Sequence, residues 1–97
     1  MSAYIVFVRD KMKDAAAYAA YGSKAVATLA AHPAKPLAVN GALTPIEGAC
    51  PDGVVIIEFP SVEAAKAWYE SPAYQAVVGE RLGATEGRAV IVEGLPG

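Results

Sequence analysis

The chain has 97 residues, enough for one domain, and a domain of that size buries only roughly 60–70% of the surface its unfolded chain exposes. Its residues are 55% hydrophobic and 19% charged, which gives more apolar surface than one small core can hide and makes self-association the first expectation. Eight lysines and arginines against ten acids give a net charge of −2, and no basic stripe is visible, so a nucleic-acid-binding module is not expected.

The opening MSAYIVFVRD enters a strand pattern at once, with neither a basic leader nor an apolar segment ending in small residues. No apolar run approaches the roughly 18 residues that a membrane span requires, so a soluble cytoplasmic protein is expected. Cys50, in GACPDG, is the single cysteine; one thiol cannot form an internal disulfide, and an incidental loop residue is the ordinary reading.

Ala3 to Val8, AYIVFV, is continuously apolar and rich in β-branched and aromatic residues, which predicts a strand covered on both faces. The alanine-rich segment from about Met12 to Ala31 predicts a helix, with Met12, Ala15, Ala19, Gly22, Val26 and Leu29 on one stripe. His32 and Pro33 end it, because proline disfavours helical geometry in the residue before it. KPLAVNGAL is a weaker second strand whose Pro36 and Asn40-Gly41 pair suit an edge. The turn-rich TPIEGACPDG leads to the third strand, VVIIEFP, in which Val54 to Ile57 are all β-branched and an acid, Glu58, follows inside the run. Ser61 caps a second helix with Glu63 in its first turn, favourable against the helix dipole. Ser71-Pro72 restarts that helix, a serine cap followed by proline at the first position, and the segment runs to about Leu82. GRAVIVEG is the fourth strand.

The order β-α-β-β-α-β predicts a single α+β domain over residues 1–97, a ferredoxin-like sandwich. Right-handed crossovers place both helices on one face of a four-stranded antiparallel sheet. Strands one and three then lie in the middle, yet both are apolar on both sides: Tyr4, Val6 and Val8 against Ile5 and Phe7, and Val54 and Ile56 against Val55, Ile57 and Phe59. A sheet facing water would alternate apolar with polar residues. The expected cover is the sheet of an identical subunit. About six such side chains at roughly 1.5–3 kcal/mol each, before the costs of association, suffice for a dimer.

The stretch from Val54 to Gln75, VVIIEFPSVEAAKAWYESPAYQ, together with the closing RAVIVEG, resembles the small bacterial family of domains of unknown function called DUF1330. The order of elements fits nearly the whole chain. The resemblance implies the dimeric α+β barrel superfamily, in which two ferredoxin-like sheets pack face to face. That family usually continues its first helix with His-Gly-Gly, a basic residue and an aromatic one; here His32, Pro33, Ala34, Lys35 and Pro36 stand at those places, without the glycine pair or the aromatic. The superfamily also contains cofactor-free monooxygenases and haem-degrading enzymes, whose second helix spaces Trp, Ser, an aromatic and a haem-ligating His. Trp68, Ser71 and Tyr74 match that spacing, but Val78 occupies the fourth place, so no haem or other cofactor is expected and packing and capping explain the triplet.

Among the candidate site residues, Glu58 shares a face with Val54 and Ile56; a carboxylate there is a paired or solvated structural acid or, in a cleft, a proton-transfer group. His32, the only histidine, is a helix-end residue favoured as a cation by the dipole or a proton-transfer partner. One His and one Cys offer no clustered metal ligands. Trp68 follows Val62 and Ala65 at helical spacing, ordinarily a core stripe. Tyr4, Tyr18 and Tyr21 pack or line a pocket between helix and sheet. Arg81 and Arg88 either anchor an anion or pair with Glu58, Glu80 or Glu86. No nucleophile elbow, phosphate loop or dinucleotide fingerprint occurs. Two readings follow. The first is a homodimer that binds a small apolar or anionic molecule in a cleft lined by Tyr4, Tyr18, Trp68 and Arg81, with Glu58 and His32 nearby. The second is a cofactor-independent monooxygenase or isomerase that moves a proton on Glu58 or His32. An RNA-recognition role, raised by the strand order alone, is disfavoured by the acidic charge and the absence of a basic-aromatic pattern on the fourth strand.

Overall fold

In the computed structural model, which describes residues 1–96, the β-branched runs form the centre of one sheet. β1 (Ala3–Met12) and β3 (Gly53–Phe59) lie side by side, flanked by β4 (Thr85–Glu93) and β2 (Lys35–Val39), in the order β2-β3-β1-β4. Every neighbouring pair is antiparallel. Pro36 lies on an edge strand, where its missing N–H costs no ladder bond. β1 runs four residues beyond the apolar stretch because its polar end still pairs with β4, shifting register between Arg9 and Lys11. That irregularity is a local bend of the strand, and an Arg88–Asp10 ion pair at 3.1 Å spans it.

α1 (Ala15–Leu29) is shorter than the segment predicted from Met12 to Ala31. Met12 remains in the sheet opposite Thr85, and the Asp14 carboxylate caps the helix by accepting from the Ala17 N–H at 3.0 Å. The stripe read from the sequence is not the one that packs. Tyr18, Tyr21, Ala25 and Leu29 belong to the core and its margin, whereas Ala15 and Ala19 are exposed and Val26 is 66% exposed. Two tyrosine rings remove more apolar area from water than alanines do, and they set the rotation of the helix. Ser61 caps α2 (Val62–Tyr69), and Ser71 caps the single turn α3 (Pro72–Gln75) with proline in its first turn. The helix expected to run from Ser71 to Leu82 is broken at Ala76 and Val77, and α4 (Val78–Ala84) starts without a side-chain cap.

All four helices pack on the same face of the sheet. Tyr21, Trp68, Tyr74 and Val78 meet Ile5, Ile57 and Phe59 in one buried cluster. Trp68 is its centre: its ring lies 4.3 Å from Tyr74, 5.9 Å from Phe59 and 6.3 Å, edge-on, from Phe7. The indole N–H donates to the Thr28 hydroxyl at 2.9 Å, which donates to the Ala25 carbonyl at 2.6 Å. Tyr21 and Tyr74 share a buried hydroxyl–hydroxyl bond of 2.7 Å. Among the described residues, no buried side-chain polar atom lacks a partner.

The opposite face carries the other half of each strand's alternation. The register aligns Lys35, Glu58, Tyr4 and Val92 in one cross-strand row, Ala38, Ile56, Val6 and Val90 in the next, and Val54, Val8 and Arg88 in a third. No helix of the described residues contributes to that side, and Val90 and Val92 are 57% and 48% exposed. Glu58 thus interrupts its β-branched run at one end of a largely apolar face, with Tyr4 and Lys35 beside it.

Burial first, then the bond with Tyr74, pushes the Tyr21 phenol well above its ordinary value of 10.0. The unfolded chain releases this proton from about pH 10 while the folded chain retains it, so rising pH favours unfolding. Above that pH, stability is expected to fall by up to about 1.4 kcal/mol per pH unit through this group, and Tyr21→Phe is expected to flatten the decline. Urea unfolding at a series of alkaline pH values measures both slopes, and equal slopes contradict the assignment.

Candidate functional site

Between α1 and the sheet lies a cavity of about 140 Å³. Phe7, Val55 and Ile57 form its floor, Ala25 and Leu29 its roof, and Trp68 part of its wall. The Trp68 cluster fills the space between helices and sheet beside it, while α1 sets the small Gly22 and Ala25 between the larger Tyr18, Tyr21 and Leu29 above the cavity. Gly22 also borders it, and a Cβ built there meets no atom within 4 Å. A glycine inside a helix costs roughly 0.5–1 kcal/mol relative to alanine, so this vacancy is held at some expense to the helix.

The polar groups at the cavity's border come from strand ends. Arg9 lies 4.7 Å over the Tyr18 ring and donates from Nη1 to the Asn40 side chain at 3.0 Å, from Nη2 to the Asp52 carbonyl at 2.9 Å and from Nε to the Asp52 carboxylate at 3.4 Å. Asn40 in turn donates to the Tyr18 hydroxyl at 3.2 Å. Asn40 adopts a left-handed backbone with φ 52°, a conformation that asparagine tolerates better than most residues. The loop between Asn40 and Asp52 is closed at its base by Asn40 N–H to the Val54 carbonyl, 2.9 Å, and Asp52 N–H to the Arg9 carbonyl, 2.7 Å. A Cβ at Gly53 would stand where the Arg9 guanidinium lies, so any larger residue there makes the end of the Arg9 side chain move.

Arg81 approaches from α4. Its Nε–H donates to the Tyr74 hydroxyl at 3.3 Å, and its guanidinium carbon lies 5.1 Å from the centre of the Phe7 ring. Burial works against its charge, but the electrostatic interaction with the Tyr74 oxygen and the hydrogen bond to it outweigh that and hold the pKa above the ordinary value. The group is a cation at any physiological pH. Among the described residues it has no carboxylate partner: Glu80 pairs with Lys24 at 3.0 Å, Asp52 with Arg9 at 3.4 Å and Asp10 with Arg88 at 3.1 Å.

Of the residues singled out from the sequence, Tyr18, Tyr21, Trp68 and Arg81 border this cavity from the helix side, and Arg88 touches its lining from a strand position that faces the other side of the sheet. Tyr4 does not, because alternation along β1 turns Ile5 and Phe7 toward the helices and Tyr4 toward the other face. Glu58 shares that other face and borders, with Pro33 and Lys35, a separate shallow depression. His32 lies in the turn after α1, its N–H donating to the Leu29 carbonyl and its carbonyl accepting from the Ala34 N–H, and it borders neither the cavity nor Glu58's depression. The single cleft expected to hold the tyrosines, Trp68, Glu58 and His32 is therefore divided by the sheet. In the Trp68, Ser71, Tyr74 triplet, Ser71 Oγ donates to the Trp68 carbonyl at 2.7 Å and accepts from the Tyr74 N–H at 3.3 Å, while the two rings meet at a tilt of 42°. No group of three His, Cys, Asp or Glu side chains among the described residues is placed to hold a metal. No helix among them is long and apolar enough to cross a membrane.

Arg9, Asn40 and Gly53 were not singled out from the sequence. Gly22 carried a readable signal, a helix-weakening residue in an otherwise alanine-rich helix. Arg9 carried none, since an arginine ending an apolar strand reads as the point where the chain meets water. Gly53→Ala is expected to displace Arg9 from Asn40 and Asp52 and to cost about 1–3 kcal/mol, the range for disrupting a charge-assisted network. Denaturant unfolding measures it, and a neutral substitution contradicts the role given to Arg9.

A family model described as "Domain of unknown function (DUF1330)" matches residues 2–95. Among solved structures, the RPA0582 protein of unknown function from Rhodopseudomonas palustris is 22% identical, with 99% of this chain and 84% of that chain covered at a TM-score of 0.74. The crystal structure of methylated RPA0582 is 24% identical, with 98% and 82% covered and a TM-score of 0.74. At such identities the likeness concerns the fold. No curated protein matches the chain. With all but the terminal residues under one family model and the same fold in the solved structures, the chain belongs to the DUF1330 family.

Proposed function

We propose that this protein is a homodimer that binds a small molecule in the cavity between α1 and the sheet. The cavity itself carries the reading. A half-open apolar pocket of about 140 Å³ leaves walls such as Phe7, Val55 and Leu29 with fewer packing partners than a filled core gives them, at a cost in dispersion contacts. A larger side chain at Gly22 could occupy that space, where a Cβ meets nothing. A ligand that fills it offsets the cost by mass action. The enzymatic reading, with Glu58 or His32 moving a proton, lacks a comparable observation, because neither side chain borders the cavity.

The second part of the proposal concerns the open sheet face. It supports a ferredoxin-like, dimeric α+β barrel arrangement in which two copies pack these faces together. The row of Ala38, Ile56, Val6 and Val90 runs across all four strands without a charge, and the charged residues Lys35, Glu58 and Arg88 occupy the rows on either side of it. An apolar centre within a polar border is the anatomy of a protein interface.

Benzene, an apolar ring of a size this pocket can take, is the first probe. Saturable binding, read by the fluorescence of Trp68 and by a rise in Tm, is expected, and Gly22→Leu is expected to abolish it while leaving the fold intact. No saturable binding up to the solubility of benzene overturns the ligand reading. For assembly, sedimentation is expected to find a dimer at micromolar concentration and a folded monomer for Val90→Glu. A wild-type monomer at that concentration contradicts the dimer.

A further inference from the structure

We infer that the ligand of this cavity is a small organic carboxylate, about the size of one ring or a short branched chain, whose anionic end pairs with Arg81. The inference rests on the ligand-binding reading and adds the chemical class. Three arginines touch the cavity's lining, Arg9 and Arg81 from the helix side and Arg88 from the open side of the sheet. Two of them are already neutralised, Arg9 by Asp52 at 3.4 Å and Arg88 by Asp10 at 3.1 Å. Arg81 is half-buried and, among the described residues, faces no carboxylate. The acid adjacent to it in sequence, Glu80, is held by Lys24 through both carboxylate oxygens, at 3.0 and 3.1 Å.

A guanidinium taken partly out of water needs compensation. The Phe7 ring and the Tyr74 hydroxyl supply part of it. Only Nε is used by Tyr74; among the described residues neither Nη of Arg81 has a hydrogen-bond acceptor. These free donors match the two oxygens of a carboxylate, the planar anion that a guanidinium binds through paired hydrogen bonds. One uncompensated positive charge beside walls such as Phe7, Val55, Ile57 and Leu29 selects a single negative charge attached to an apolar body. A phosphate dianion would leave excess charge against those walls and have no body to fill the space. Size sets the remaining limit, since the cavity of about 140 Å³ is close to the roughly 150 Å³ that encloses a benzene ring.

Benzoate, benzamide and benzene distinguish charge from shape. Calorimetric titration of the full chain at neutral pH is expected to show benzoate binding at least roughly tenfold more tightly than benzamide, as one charge-assisted pair provides. Raising the salt concentration is expected to narrow the gap. Arg81→Met is expected to remove the preference for benzoate while leaving benzene affinity within about twofold, and Arg81→Lys to retain part of it. If benzene binds but benzoate binds no better than benzamide, the carboxylate inference is overturned and the cavity reading stands. If none of the three binds, both are overturned. If the preference survives in Arg81→Met, the assignment to Arg81 is overturned. The wild-type comparison of benzoate with benzamide needs no variant, so it decides the charge question even if Arg81→Met fails to fold.

Discussion

The tilted packing of Trp68 on Tyr74, ring centres 4.3 Å apart, and against Phe59 at 5.9 Å ties the second half of the helical layer to the sheet, and the rest of the molecule is arranged around that contact. The indole N–H reaches α1 through Thr28, and Tyr74 reaches it again through Tyr21. α1 is thereby pinned along one side at the height of an aromatic ring. Where the opposing residues are large the gap is filled; where α1 offers Gly22 and Ala25 it is not, and a cavity remains. The site is a consequence of unequal side-chain sizes under a helix whose position is set elsewhere.

The same sheet divides the molecule chemically. One side holds aromatic rings, the cavity and the cation of Arg81; the other holds a flat apolar centre with Glu58 and Lys35 at one end. In a chain of 97 residues, a core on one face only is thin, and β-branched residues on both faces of β1 and β3 make a two-sided burial of those strands the natural end point.

Much of this was legible in the sequence. Val54 to Ile57 and Ala3 to Val8 announce strands because β-branched runs suit little else, and Ser61 and Ser71-Pro72 mark helix starts through specific hydrogen-bonding chemistry that the structure displays. The polar end of β1 was not legible, because Arg9, Asp10 and Lys11 have no strand signature and are held by pairing with β4. The buried side of α1 was misread because alanine offers little hydrophobic contrast; Ala15, Ala19 and Val26 looked equivalent to the positions that Tyr18 and Tyr21 occupy. Of the candidate residues, Tyr18, Trp68 and Arg81 border the cavity, whereas Tyr4 and Glu58, grouped with them from the sequence, lie across a sheet whose alternation separates them. Which arginine lacks a counter-charge is a property of three-dimensional pairing, and no linear reading assigns Asp52 to Arg9, Asp10 to Arg88 and Glu80 to Lys24.

The most direct measurement is a crystal structure of the protein grown in saturating benzoate. The account predicts ring density between Leu29 and the floor of Phe7 and Ile57, with both carboxylate oxygens within hydrogen-bonding distance of Arg81. A cavity that remains empty under those conditions, or one closed by α1 settling onto the sheet, would contradict it.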